Sequence, residues 1–110
     1  MDMQLFAALA DPTRTKIVEA LARRDLTAGE IAARFPVSRP AISRHLRVLR
    51  KARVVHSRGE AQRRVYSLNP AALDEVDRWL VRCREMWNRR LDRLDEYLKV
   101  MVAEEAKKGK

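Results

Sequence analysis

The stretch Val37-Ser38-Arg39-Pro40-Ala41-Ile42-Ser43-Arg44-His45-Leu46-Arg47-Val48-Leu49 decides the fold. Ser38 reads as a helix N-cap. Pro40 is tolerated in the first turn, where its missing N–H would have had no intrahelical partner. Ile42, Leu46 and Leu49 recur at i, i+4, i+7 and form one inward stripe. That leaves Arg39, Pro40, Ser43, Arg44 and Arg47 broadly on the other side. Just upstream, Thr27-Ala28-Gly29-Glu30 has the S/T-x-x-E form of a capping box and opens a short helix carrying Ile31 and Ala32. This helix must end near Phe35, because Pro36 disfavours helical geometry at the residue before it. Helix, a break at Phe35-Pro36-Val37, and a second helix give a helix-turn-helix over about residues 27–52, without the glycine often found in the turn.

Downstream the pattern changes. Val54-Val55-His56-Ser57-Arg58 and Arg63-Arg64-Val65-Tyr66-Ser67-Leu68 are rich in β-branched and aromatic residues, and Gly59-Glu60-Ala61-Gln62 connects them. This predicts a two-stranded hairpin over 54–68. Asn69-Pro70 then starts a long last helix, about 70–103, with Leu73, Val76, Leu80, Cys83, Trp87, Leu91, Leu94, Leu98 and Met101 as its stripe. Glu104 to Lys110 reads as a frayed polar tail. Upstream, a short helix from about Met3 to Leu9 puts Leu5, Phe6 and Leu9 to one side. Asp11-Pro12 restarts the chain for a helix to about Arg23, with Ile17, Val18 and Leu21 inward. The expected fold is mainly α with a β-hairpin wing: a winged helix-turn-helix of four helices, a two-stranded wing and a long fifth helix, in one domain over residues 1–110.

Charge points to the partner. The chain carries a formal net charge of +9. Between Arg34 and Arg64 stand ten basic residues and one acid, Glu60, so the whole excess lies in that third of the chain. A merely soluble surface mixes both signs, as the remainder does. A segregated basic patch is the footprint of polyanion binding. A helix-turn-helix offers its second helix to the major groove of double-stranded DNA, first turns nearest the base edges. The candidate contacts there are Ser38, Arg39, Pro40, Ser43, Arg44 and Arg47, with Ser38 mainly a cap. Ser43 can instead bond back within its helix. At the hairpin the candidates are Arg58, Gln62, Arg63 and Arg64, reaching flanking backbone or minor groove. The competing reading is that these residues only keep a sheet edge from pairing.

The last helix is too long to hide its stripe against so small a domain. Leu91, Leu94, Leu98 and Met101 follow a nearly heptad spacing, and Trp79, Met86, Trp87 and Tyr97 add apolar area, so this segment is expected to pack on a second copy. Leu5 and Phe6 are expected to join that homodimer interface, while Leu73 to Leu80 is expected to pack on its own domain. Glu75, Asp77, Asp92, Asp95 and Glu96 alternate with arginines and read as i, i+3 and i, i+4 ion pairs rather than catalytic carboxylates. Cys83 is the one cysteine. On an apolar helix face it reads as a small buried hydrophobe, with an intersubunit disulfide as the alternative. No nucleophile–base pair, phosphate-cradling glycine loop or metal-ligand cluster is legible, so no catalytic residue, cofactor or enzyme activity is expected. No apolar run approaches the ~20 residues of a membrane span, and Met1-Asp2-Met3-Gln4 is not a signal-peptide start, so a cytoplasmic protein without a membrane partner is expected.

Leu9-Ala10-Asp11-Pro12-Thr13-Arg14, Glu30-Ile31-Ala32, the stretch from Val37 to Leu49 and the strand from Arg63 to Leu68 together resemble the ArsR-type winged helix-turn-helix repressors. The resemblance runs from Phe6 to about Tyr97. It implies a homodimer joined through first and last helices, an operator read by Arg39 to Arg47, and repression. Many members of that family sense metals through a Cys-x-Cys pair in the third helix or through His and acidic residues on the last. Here residues 27–34 hold no Cys or His, and the last helix has no His and only Cys83. His45, His56 and Cys83 fall on three elements, short of the about four ligands of a closed zinc site. The chain is therefore more similar to the metal-independent branch, whose inducers are varied or unknown, although a site shared between subunits stays open. One competing function is a basic dimeric adaptor docking an acidic protein partner. Against it, the outward face of the second helix offers Arg, Pro and Ser rather than large apolar anchors.

Overall fold

A computed structural model describes residues 2–109. Its elements are α1 (Met3–Leu9), α2 (Pro12–Arg23), β1 (Leu26–Thr27), α3 (Ala28–Arg34), α4 (Arg39–Lys51), β2 (Val55–Glu60), β3 (Arg63–Leu68) and α5 (Pro70–Lys108). The helix starts follow side-chain chemistry. Asp11 accepts from the Arg14 N–H at 3.0 Å, Ser38 from Ala41 at 3.3 Å and Asn69 from Ala71 at 3.1 Å. At α3 the capping box is complete: Thr27 accepts from the Glu30 N–H at 3.1 Å, and Glu30 accepts from the Thr27 N–H at 3.0 Å. Each such bond satisfies an N–H that the helix itself leaves orphaned.

The end of α4 sets up the wing. Arg53 sits at φ 62, in the left-handed region. Its N–H donates to the Arg50 carbonyl at 3.0 Å, and the Val54 N–H donates to Leu49 at 2.9 Å. This is the Schellman pattern, completed by buried Leu49 and Val54. Glycine usually holds the left-handed position, and an arginine there costs roughly 1–2 kcal/mol. Asn69 reinforces the bend by donating from its side chain to the Arg53 carbonyl at 2.8 Å.

The sheet corrects the two-stranded expectation. It has three antiparallel strands in the order β1-β3-β2, with Leu26 opposite Tyr66 and Val55 opposite Leu68. β1 is only two residues long, and its partner lies far along the chain. The hairpin connection is also tighter than the sequence suggests. Gly59 pairs with Arg64 and Glu60 with Arg63, so the turn is Ala61-Gln62 alone. Ala61 takes the positive φ of 57 that so short a turn demands.

Contacts gather into two compact units, one ending at Asp74 and one beginning at Glu75. The first closes over Leu5, Ile17, Leu21, Leu26, Ile31, Ile42, Leu46, Leu49, Val54, Val55 and Val65, all buried. Leu5 is thus consumed by the core of its own unit, where α1 contacts α2 and α4. This corrects its assignment to a dimer interface; Phe6 beside it is half-buried. The second unit is most of α5. The stretch Leu73 to Leu80, expected to pack on its own domain, is mixed: Val76 and Trp79 are half-buried, Leu73 and Leu80 are 42% and 46% exposed, and Ala72 is the buried residue of α5. Cys83 is half-buried rather than buried. The helix also continues to Lys108, past the expected 103, because Glu104-Glu105-Ala106-Lys107-Lys108 are strong helix formers despite their polarity. Of the ion pairs expected along it, Lys99 meets Asp95 at 3.3 Å.

Candidate nucleic-acid interface

The helix α4 is locked on one side and free on the other. Ile42, Leu46 and Leu49 are buried, while Ser38, Arg39, Pro40, Ser43, Arg44 and Arg47 are all exposed. Half-buried His45 helps fix the helix's position. Its Nδ1 lies 3.2 Å from Arg14 Nη1 and 3.8 Å from Asp11 Oδ2. Arg14 in turn donates from Nε to the Ala8 carbonyl at 2.6 Å, in the last turn of α1, and from Nη2 at 3.3 Å to the Ala7 carbonyl, which also accepts from the Ala10 N–H. One arginine therefore ties α1, α2 and α4 together. The Asp11 carboxyl is held below its ordinary pKa by the Arg14 N–H it accepts, with the charges of His45 and Arg14 assisting against partial desolvation. His45 thus does structural work.

The strand register sorts the wing residues. Directly paired residues of antiparallel strands share a sheet face, and so do residues two apart. Arg58, Glu60 and Arg63 accordingly lie on one face, and Ser57, Gly59, Arg64 and Tyr66 on the other. On the first face Arg58 meets Asp25 at 3.0 Å and Glu60 at 3.7 Å. There the charge of Arg63 also contributes to lowering the pKa of Glu30, after the larger effect of the hydrogen bonds from Thr27. On the second face Arg64 turns toward α4. Gln62 stands exposed in the turn. The four wing candidates are therefore not equivalent: Arg58 is engaged by acids, whereas Arg64 belongs with the α4 surface.

Between α4 and that second face lies a cleft of about 570 Å³, lined by Ala28, Ser43, Leu46, Arg47, Arg50, Lys51, Arg64 and Tyr66. It joins Ser43 and Arg47 of α4 to Arg64 of the wing in one basic surface. Arg50 and Lys51 belong to it and were missing from the expected contacts. Their signal was in the sequence, since Ser43, Arg47, Arg50 and Lys51 fall at i, i+4, i+7 and i+8, one helical face. The arrangement offers forked guanidinium donors for guanine edges and several cations for phosphates.

The remaining candidates lie on α5. Trp87 is 53% exposed, Leu91 42%, Leu94 51%, Leu98 49% and Met101 47%. Arg90 covers part of the Trp87 ring, 5.3 Å from its centroid. Among the described residues no three His, Cys, Asp or Glu side chains stand together as metal ligands would. No described helix is long and apolar enough to cross a membrane.

Comparison with known proteins bears on this surface directly. Residues 11–57 match the bacterial regulatory proteins of the arsR family, a span that takes in α4 and the first half of β2. The chain is 51% identical over 79 residues to the HTH-type transcriptional regulator Rv2034 of Mycobacterium tuberculosis, covering 68% of this chain and 74% of that one. It is 42% identical over 77 residues to the transcriptional repressor SdpR of Bacillus subtilis, covering 70% and 86%. Among solved structures it superposes on an ArsR-like transcriptional regulator from Rhodococcus sp. RHA1 with a TM-score of 0.74 and 38% identity, over 84% of this chain and 88% of that one. With its exposed basic α4, its wing and these relatives, the chain belongs to the ArsR family of DNA-binding, winged helix-turn-helix transcriptional regulators.

Proposed function

We propose that the protein is a cytoplasmic, homodimeric repressor that binds a palindromic operator without a metal cofactor and carries out no catalytic step. The observation that carries this reading is the basic cleft that joins Arg47, Arg50 and Lys51 of α4 to Arg64 of the wing, with Arg39 and Arg44 exposed on the same helix. Its apolar underside, Ile42, Leu46 and Leu49, is consumed by the core, so the basic side is the one left to meet a partner. In this reading Arg39 and Arg44, exposed in the first turns of α4, read base edges, and the wing holds flanking phosphates. Repression is supported by the relative from B. subtilis, itself named a repressor. The exposed stripe Leu91, Leu94, Leu98 and Met101 supports self-association, because a monomer rarely leaves so many large apolar side chains contiguous. Such a dimer would present two α4 helices roughly 34 Å apart, one turn of DNA.

Hydroxyl-radical footprinting on the protein's own upstream promoter tests this. Two protected half-sites, one turn apart and both lost in Leu94→Asp, are expected. A single unpaired footprint that survives Leu94→Asp would refute the dimeric reading. Absence of any footprint at low salt would transfer the basic surface to the alternative function, docking of an acidic protein.

A further inference from the structure

We propose that Arg50, Arg64 and the Ser57 hydroxyl form a discrete oxyanion site for one phosphoryl group, at the seam between α4 and the wing. The site rests on the DNA-binding reading if the group is a phosphodiester of the duplex, and stands apart from it if the group is inorganic phosphate or a phosphomonoester.

Arg50 Nη1 donates to Ser57 Oγ at 3.4 Å, and Arg64 Nη1 donates to the same oxygen at 3.1 Å. Two like-charged guanidiniums are drawn to a single neutral acceptor. Each has five N–H groups, while a hydroxyl oxygen offers two lone pairs. Most of their donor capacity is left for a ligand, and an anion bridging them would remove the repulsion as well. The acids of this sheet are elsewhere, since Asp25 and Glu60 go to Arg58 on the opposite face.

Backbone placement supports the same reading. Ser57 and Arg64 are diagonal neighbours on one sheet face, and the residue directly opposite Arg64 is Gly59. A Cβ on Gly59 would meet nothing within 4 Å, so the space beside the guanidinium is open. The three groups border a concavity of about 350 Å³ that Arg53 and His56 also line. Arg53 occupies the left-handed position that glycine fills without penalty. From that position Arg53 adds a third cation to the same hollow. Phosphoryl oxygens suit forked guanidinium donors better than a point charge would.

The test titrates inorganic phosphate into the isotope-labelled full chain at constant ionic strength, with chloride as control. Proton–nitrogen spectra follow the Ser57 amide and the arginine Nε–H groups. Saturable shifts confined to Ser57, Arg50, Arg53 and Arg64 are expected, with affinity falling about tenfold in Arg50→Gln, the lower end for losing a hydrogen bond to a charged group. Arg50→Lys keeps the charge but loses the fork, and is expected to fall between; it also serves if Arg50→Gln fails to fold. Shifts that match chloride, spread over all arginines, or persist unchanged in both variants would overturn the site, whatever DNA does. The salt dependence of DNA binding then separates the sources. A slope reduced by about one in Arg50→Gln assigns the site to a backbone phosphate. An unchanged slope with phosphate binding lost assigns it to a small phosphate. Saturable phosphate binding in a protein that fails to bind DNA would keep the site and discard the operator reading.

Discussion

Replacing Arg14 by methionine removes a side chain on α2 that hydrogen-bonds to both α1 and α4. The substitution keeps most of the aliphatic length and deletes the guanidinium. Three contacts go with it: to the Ala8 carbonyl at 2.6 Å, to the Ala7 carbonyl at 3.3 Å and to His45 at 3.2 Å. Hydrogen bonds from a charged donor contribute about 1.5–3 kcal/mol each when well buried. Arg14 is only half-buried, and the Ala7 contact is exposed. Counting about 1 kcal/mol for each of the two part-buried contacts, and less for the third, gives a loss of about 2–3 kcal/mol. For a unit of this size, 1 kcal/mol moves Tm by roughly 4–8 °C, so a drop of roughly 10–20 °C is expected. Urea unfolding followed by circular dichroism measures it directly. DNA affinity should fall as well in the folded variant, because His45 then loses its tether and α4 its fixed pitch. A loss under about 0.5 kcal/mol, typical of an unremarkable surface position, would refute the idea that Arg14 positions α4.

Four further outcomes follow from named contacts. Ala61→Gly should stabilise the protein by about 0.5–1 kcal/mol in the same assay, because relief of the positive φ outweighs the extra chain entropy of glycine. Thr27→Ala should cost about 1 kcal/mol by breaking the capping box of α3. Asp11 and Glu30 both have carboxyl pKa values lowered in the folded state, chiefly by hydrogen bonds from the Arg14 and Thr27 backbone N–H groups respectively. Their contribution is therefore present above the ordinary carboxylate range and is lost as pH falls through the lowered folded values; unfolding midpoints from pH 6 down to about pH 2 should decline for the wild type and less steeply for Asp11→Asn. Arg39→Ala and Arg44→Ala should each cost about 1–3 kcal/mol on a preferred DNA sequence and flatten base preference, measured by competition with single-substitution duplexes.

Local chemistry was legible; distant contacts were not. Thr27 with Glu30, Asp11 before Pro12, Ser38 before Pro40 and Asn69 before Pro70 announce helix starts in a few residues, and the structure places caps at each. The stripe Ile42, Leu46 and Leu49 likewise gives the buried side of α4, and hence its free side. β1 escaped because a two-residue strand has no period to detect, and its partner Tyr66 is 40 positions away. The bends at Arg53 and Ala61 escaped because neither carries the glycine that normally signals a positive φ. Arg14 read as part of a motif without a mechanism, since its partner His45 lies 31 residues on. Leu5 looked available for a partner because α1, taken alone, cannot reveal that α2 and α4 close over it. Arg50 and Lys51 were on the correct helical face, but only the fold brings Arg64 to them and makes the cleft.

The central claim is sequence-specific DNA binding through α4 and the wing. Its most direct test is fluorescence anisotropy of the purified protein on its own upstream promoter and on a scrambled duplex of equal length, across a salt series. The account predicts at least a hundredfold preference for the promoter, with log K falling against log salt at a slope of roughly −5 to −7 if six to eight phosphates are neutralised. Failure to bind either duplex at low salt would contradict it.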